Sequence, residues 1–226
     1  MARIPAAERR NDLVAAAVRM IAAHGVEGAT TRRIAQEANA PLATLHYCFA
    51  TKELLFGAVF EYVAAQYREV LTRNDVHSDL PTTARALLRG MLEWYLANPN
   101  FGAAIIELIS WARRQEGQQA EMVYNEAFAT LRGILATAAR TEGRPDDPDI
   151  IDSLTYITSV LSDGFAINWL AFTDGAVAES QVELTLGLLD AWMAARLRDP
   201  SQLPAQVSKS SPEVSLRSLA SWVSVQ

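Results

Sequence analysis

Apolar residues recur at three- and four-residue spacing from Ala6 almost to Asp199, and prolines and glycines fall mostly between the periodic stretches rather than inside them. That rhythm is the period of the α-helix, in which residues i, i+3, i+4 and i+7 share one face. A chain of 226 residues with half its residues hydrophobic, 11 glycines and 9 prolines is therefore expected to be all-α, with about nine helices and a core of useful size.

The breaks predict the elements. A first helix runs from Ala6 to Ala23, buries Leu13, Ala17, Met20 and Ile21, and stops at His24-Gly25, where glycine takes the left-handed turn. Thr30 or Thr31 offers a hydroxyl cap to a short helix through Ala38. Asn39 tolerates a left-handed turn, and Pro41 suits the opening of a third short helix that ends near Cys48. Phe49 is expected to plug back into the core. Thr51-Lys52-Glu53 opens a long fourth helix to about Asn74. Further helices are expected at 81–97, 99–115, 118–141, 148–173 and 178–198. Residues 199–226, rich in Ser, Pro and Gln, read as a flexible tail, although Leu216, Leu219, Trp222 and Val223 have the spacing of a short docking helix.

Charge is uneven along the chain. Residues 1–52 carry seven basic and four acidic side chains, a net +3, while the remainder carries −9. A basic head on an acidic body fits a local contact with phosphates. The opening residues lack the apolar segment of a secretory signal, and no apolar run is expected to reach the roughly 18–20 residues that cross a bilayer. The lone Cys48 has no disulfide or metal partner in sequence, and His24, His46 and His77 are too dispersed for a metal site. A cytoplasmic protein without metal, cofactor or membrane is the expectation.

Two short helices joined by a tight turn behind a longer one form a helix-turn-helix head. The stretch Thr30 to Leu55, TTRRIAQEANAPLATLHYCFATKELL, resembles the DNA-binding signature of the TetR family of transcriptional regulators. Agreement falls at the Thr30-Thr31 cap, Ile34-Ala35, Ala38, Thr44-Leu45, His46-Tyr47, Phe49 and Thr51-Lys52-Glu53. The resemblance implies a domain at 1–50 that binds double-stranded DNA at a palindromic operator. It also implies a ligand-binding and dimerisation bundle at 51–198, and assigns Lys52 to a DNA phosphate. Three positions depart from the family pattern: Pro41 and Leu42 stand where Ser and Lys are common, and Cys48 where His or Tyr is frequent. Loss of a lysine at Leu42 removes one phosphate contact and lowers the salt dependence of binding by about one unit of slope.

Residue chemistry supports the same contacts. Thr44, His46 and Tyr47 donate to phosphates or reach base edges, and Leu42 meets a thymine methyl. Thr31, Arg32 and Arg33 open the second helix beside the backbone or a groove edge. Lys52 joins the unpaired N–H groups of a helix N-terminus. Further along, Trp94, Phe101, Trp111, Tyr124, Phe128 and Tyr156, interleaved with Glu107, Asp163 and Asn168, have the mixture a small-molecule site requires. Any single aromatic of this kind is more often core than pocket, so the site reading rests on the set and on the resemblance. The last two helices are apolar on more than one side and call for a second partner. Leu161, Phe165, Trp169, Leu186, Leu189, Trp192 and Met193 are the candidates for a homodimer interface. The expected function is a repressor released from its operator by a small-molecule effector. An all-helical binding protein or enzyme without a DNA role is the alternative, but no Gly-rich phosphate loop or nucleophile triad is recognisable.

Overall fold

The computed structural model describes residues 5–114, 119–141, 147–172 and 174–198. Among them are nine helices and no strand. The chain divides into two compact units, Met1–Asp190 and Ala191–Gln226. The 199–226 tail, with its candidate docking helix, lies outside the described residues.

The head is α1 (Ala6–Gly28), α2 (Thr31–Glu37) and α3 (Leu42–Cys48). Helix α1 is broken at Gly25, whose φ of 67° and ψ of 171° belong to a region essentially closed to residues with a Cβ. The side chain of Thr30 caps α2 by accepting from the Arg33 N–H at 3.3 Å. Asn39, at φ 48°, makes the left-handed turn between α2 and α3. Pro41 precedes the first residue of α3 rather than lying within it. Leu13, Ala17, Ile21, Ile34, Leu45 and Phe49 form the head's core.

The body is α4 (Lys52–Arg73), α5 (Leu80–Ala97), α6 (Pro99–Arg114), α7 (Gln119–Thr141), α8 (Pro148–Phe172) and α9 (Ala178–Arg198). Side-chain caps start α4, where Thr51 accepts from the Leu54 N–H at 3.2 Å, and α5, where Asp79 accepts from the Thr82 N–H at 2.7 Å. Helix α4 lies against α7, and α8 packs on α5 and α7. Leu87, Leu88, Leu92, Leu108, Leu135 and Leu154 fill the space between them. Arg85 and Arg89 of α5 pair with Glu179, Glu183 and Asp190 of α9; pairs this exposed contribute little each.

Head and body share the first unit because α1 packs along α6 more extensively than along any helix of the head. The sequence break near residue 50 marks a joint in the chain, not a boundary between independent cores.

Helix α8 corrects one expectation. At 25 residues and a mean hydropathy of 1.2 over its 18-residue window, it is long and apolar enough to cross a membrane. Its inner side nevertheless carries buried Thr155, Thr158 and Ser162, and Asp163 lies within it. Packing on α5, α6 and α7 accounts for the apolar content of its inner side.

Candidate DNA-binding face and ligand cavity

Leu45 and Phe49 anchor α3 to the core and turn its other side outward. His46 is exposed, and Tyr47 is 84% exposed, the highest value among the large apolar and aromatic side chains of the described residues. Leu42 and Thr44 are half-buried, so Thr44 flanks the outward face instead of crowning it. Exposed Ala43 shares that face, three and four residues before His46 and Tyr47; the helical spacing alone could have found it.

The cations around this face differ in freedom. Arg32 is exposed and has no partner among the described residues. The Arg33 guanidinium donates to the Gly28 carbonyl at 3.1 Å, and the Lys52 ammonium donates to the Val26 carbonyl at 3.5 Å. The openings of α2 and of α4 are thereby both tied to the segment that follows Gly25. Lys52 also sits 4.9 Å from the centre of the Phe56 ring. A lysine has three donors, so the bond to Val26 holds the ammonium in place and leaves N–H groups for a phosphate. Thr31 is half-buried at the opening of α2.

The N-terminus of α4 favours negative charge. The Glu53 carboxyl is held below its ordinary value, first by its own backbone N–H and then by Thr51. The acidic residues nearest in sequence to the recognition helix are neutralised in part: Glu37 accepts from Arg19 at 2.6 Å. Arg10 closes the far end of α3 by donating to the Cys48 carbonyl at 3.1 Å, and its guanidinium lies over Phe49. Cys48 is half-buried beside that contact, in keeping with a packing role.

In the body, a cleft of about 570 Å³ opens among Tyr95, Ile105, Ile106, Ile109, Tyr124, Asp163, Ala166 and Ile167. A small extension of about 40 Å³ adjoins it, lined by Tyr67, Met91, Phe128, Thr158 and Ser162 among others. The two share Ile105, Ile109, Tyr124 and Asp163. The size is that of a pocket for a drug-like molecule, which spans about 300–1,000 Å³. Tyr124 donates its hydroxyl to Asp163 at 3.0 Å, and the hydroxyls of Tyr67 and Tyr95 lie 2.5 Å apart. Burial pushes the Asp163 carboxyl up to about 6, partly opposed by the Tyr124 hydrogen bond. Burial, followed by the charge of Asp163, pushes the Tyr124 and Tyr95 phenols up as well. The Thr158 hydroxyl is buried with no hydrogen-bond partner among the described residues.

Of the nine residues expected at a ligand site, Tyr124, Phe128 and Asp163 line this cavity. Trp94 and Phe101 pack behind its wall in an aromatic cluster with Tyr67 and Tyr95. The other four lie elsewhere. Glu107 is exposed on α6 toward Gly25, Trp111 meets Phe56 edge to face, Tyr156 is 65% exposed, and exposed Asn168 donates to its own helix at Gly164. Tyr67 reads in the sequence as one of the apolar residues that keep the helical period of α4, and Tyr95 as one of the aromatics of the middle helices, beside Trp94. The structure pairs their hydroxyls at the cavity.

The dimer candidates separate in the same way. Phe165, Leu186 and Leu189 are buried within the single chain, and Leu161 and Trp169 are half-buried. The Trp169 indole nitrogen is buried without an acceptor among the described residues. Trp192 and Met193 lie on the continuation of α9 in the second unit. The exposed apolar side chains are instead Tyr156, Val160 and Ile167 on one stripe of α8, and Leu184 and Leu188 on α9.

Comparison with known proteins places this arrangement. Residues 13–59 match the description of bacterial regulatory proteins of the tetR family. The chain is 31% identical over 143 residues to the HTH-type nicotine-responsive transcriptional repressor HdnoR of Paenarthrobacter nicotinovorans, covering 62% of this chain and 74% of that one. Among solved structures, a TetR family member from Streptomyces coelicolor A3 superposes with a TM-score of 0.61 at 24% identity, over 80% of this chain and 98% of that one. The multidrug binding protein EbrR, solved with imidazole, superposes with a TM-score of 0.56 at 26% identity, over 80% of this chain and 94% of that one. A head built as described, joined to a sequence 31% identical to such a repressor across 74% of the repressor's length, means that the chain belongs to the TetR family of bacterial regulatory proteins.

Proposed function

We propose that the protein is a ligand-responsive transcriptional repressor, which binds operator DNA through α3 and leaves it when a small molecule fills the cleft between α5, α6, α7 and α8. One observation carries the link between the two sites. Helix α6 lines the cleft with Ile105 and Ile109, meets α4 through Trp111, and packs along α1. A ligand that displaces α6 therefore bears on both helices that hold the head. A coupling of about 1–3 kcal/mol changes operator affinity several-fold to a hundredfold.

Division of labour follows the joint at residue 50, with 1–50 reading DNA and 51–198 binding ligand and a second copy. The homodimer reading rests on the exposed stripe Tyr156, Val160 and Ile167 with Leu184 and Leu188, since an apolar face of this kind marks an interaction surface. A two-fold dimer presents two copies of α3 to a palindromic operator. Action on the chromosome puts the protein in the cytoplasm, where the outward side of α8 meets a partner subunit and not lipid. The relative HdnoR is nicotine-responsive and EbrR binds multiple drugs; a small organic effector for this chain is in keeping with both.

The test is selection of bound DNA from a random pool, followed by binding titrations with and without compounds that occupy the cleft. A palindromic consensus whose affinity falls at least fivefold on ligand addition is expected. Indifference to sequence, or to every compound shown to bind, would refute the reading.

A further inference from the structure

Among the described residues, Asp163 is the one carboxylate lining the cleft and its extension, and its partner there is a neutral phenol, Tyr124, at 3.0 Å. No cation within ion-pair distance of it occurs among the described residues. A carboxylate accepts about four hydrogen bonds, and this one receives a single bond in a site walled by Ile105, Ile109, Ala166, Ile167 and the rings of Tyr95 and Tyr124. A buried charge in an apolar site is costly unless it is paired. Resting on the effector reading above, we propose that Asp163 anchors a protonated amine, so that the effector class is a hydrophobic amine with an aliphatic or aromatic body.

The surroundings fit such a molecule. The aromatic faces present negative potential to a cation, the Thr158 hydroxyl offers a buried polar contact without a rival partner, and the isoleucines receive the apolar body. Arg113 and Arg114 line the outer part of the cleft, both exposed, with Arg114 donating to Ser110 at 2.8 Å. Solvent screens them, whereas Asp163 lies where screening is weak. Glu107, the other acidic candidate on α6, is exposed on the side toward Gly25 and takes no part.

The probes are 4-phenylbutylamine, 4-phenylbutanol and 4-phenylbutyrate, which share a body and differ in charge, titrated calorimetrically against the full chain. The amine is expected to bind at least tenfold tighter than the alcohol, with the acid weakest. Asp163→Asn keeps an acceptor for Tyr124 and is expected to bring amine and alcohol within about twofold, leaving the alcohol unchanged; circular dichroism confirms its fold. Amine affinity should rise about tenfold from pH 5 to pH 7, following the ionised fraction of a carboxyl that titrates near 6. The groups facing it are Tyr67 of α4, Tyr95 of α5 and Tyr124 of α7, whose phenols burial pushes up so that they stay neutral in that interval, and the exposed guanidinium groups of Arg113 and Arg114 of α6; among the described residues no histidine lines the cleft. Equal binding of amine and alcohol, an amine preference that survives Asp163→Asn, or no amine binding at millimolar concentration overturns the inference. A DNA titration in parallel separates the two readings. Asp163-dependent amine binding that leaves DNA affinity unmoved sinks the effector role alone, and neutral compounds that bind equally and release DNA sink the amine anchor alone.

Discussion

The rings of Trp111 and Phe56 meet edge to face, with centroids 5.3 Å apart and planes at 82°. Trp111 lies between the cleft residues Ser110 and Arg113 of α6, and Phe56 lies one turn beyond Lys52 at the start of α4. This contact is worth about 0.5–1.5 kcal/mol beyond area burial, comparable with the coupling a regulator needs. Trp111→Leu is expected to leave ligand affinity within about twofold and to shrink the ligand-induced loss of DNA binding at least threefold. Titrating DNA at saturating and zero ligand measures both, and undiminished coupling would remove Trp111 from the route.

Asp163 makes a prediction about stability. Its folded carboxyl titrates near 6 against an ordinary 3.8, so the native state holds its proton longer than the unfolded chain. Stability from this group is greatest at acid pH, falls as pH rises from about 4 to 6, and is flat above. The ligand-free Asp163→Asn protein is therefore expected to be more stable than the parent at pH 8, by up to about 3 kcal/mol. That advantage should be about halved at pH 5. Urea unfolding at the two pH values reads the difference, and an advantage independent of pH would mean that Asp163 is not strained by burial.

Gly25 is expected to tolerate no side chain. At φ 67° it occupies a glycine-only region, and an added Cβ would stand 3.3 Å from the Glu107 carboxylate. Gly25→Ala should cost about 1–3 kcal/mol. Pairing it with Glu107→Ala separates the causes: relief of less than half the loss assigns the cost to the backbone, while full relief assigns it to the contact.

Lys52 and Tyr47 are assigned different tasks at the DNA. Lys52→Ala is expected to weaken specific and random DNA alike and to reduce the slope of log affinity against log salt by about one. Tyr47→Ala should change the ranking of operator variants, with single-position effects of about 1–3 kcal/mol. Fluorescence anisotropy across a salt series distinguishes them; equal behaviour of the two variants on all sequences would contradict the roles.

Leu188 is 56% exposed and Leu184 69% exposed on α9. Leu188→Glu should convert a dimer to a monomer at micromolar concentration without loss of helix content, and should lower operator affinity at least tenfold. Sedimentation velocity gives the first outcome. A dimer that persists would move the interface away from this face.

Most helix limits were legible in the sequence to within a residue or two, since the signals that set them act locally; α1 is the exception, expected to stop at Ala23 but resuming past the break at Gly25 to reach Gly28. Gly25 and Asn39 turn left-handed, Thr30 and Thr51 cap, and proline stands at or beside the openings of α3, α5, α6 and α8. The recognition helix was legible too, as the alternation of Leu45 and Phe49 with His46 and Tyr47 fixes which side turns outward. Periodicity reports that a helix has an apolar side, but not what lies against it. For that reason Phe165, Leu186 and Leu189 read as interface residues although they are buried within the chain, while Tyr156 and Val160 face outward. The cavity was decided by tertiary packing alone. It needs Tyr67, Tyr95, Tyr124 and Asp163 from four helices that come together only when α4, α5, α7 and α8 have packed, and no spacing along one helix encodes a distance between four.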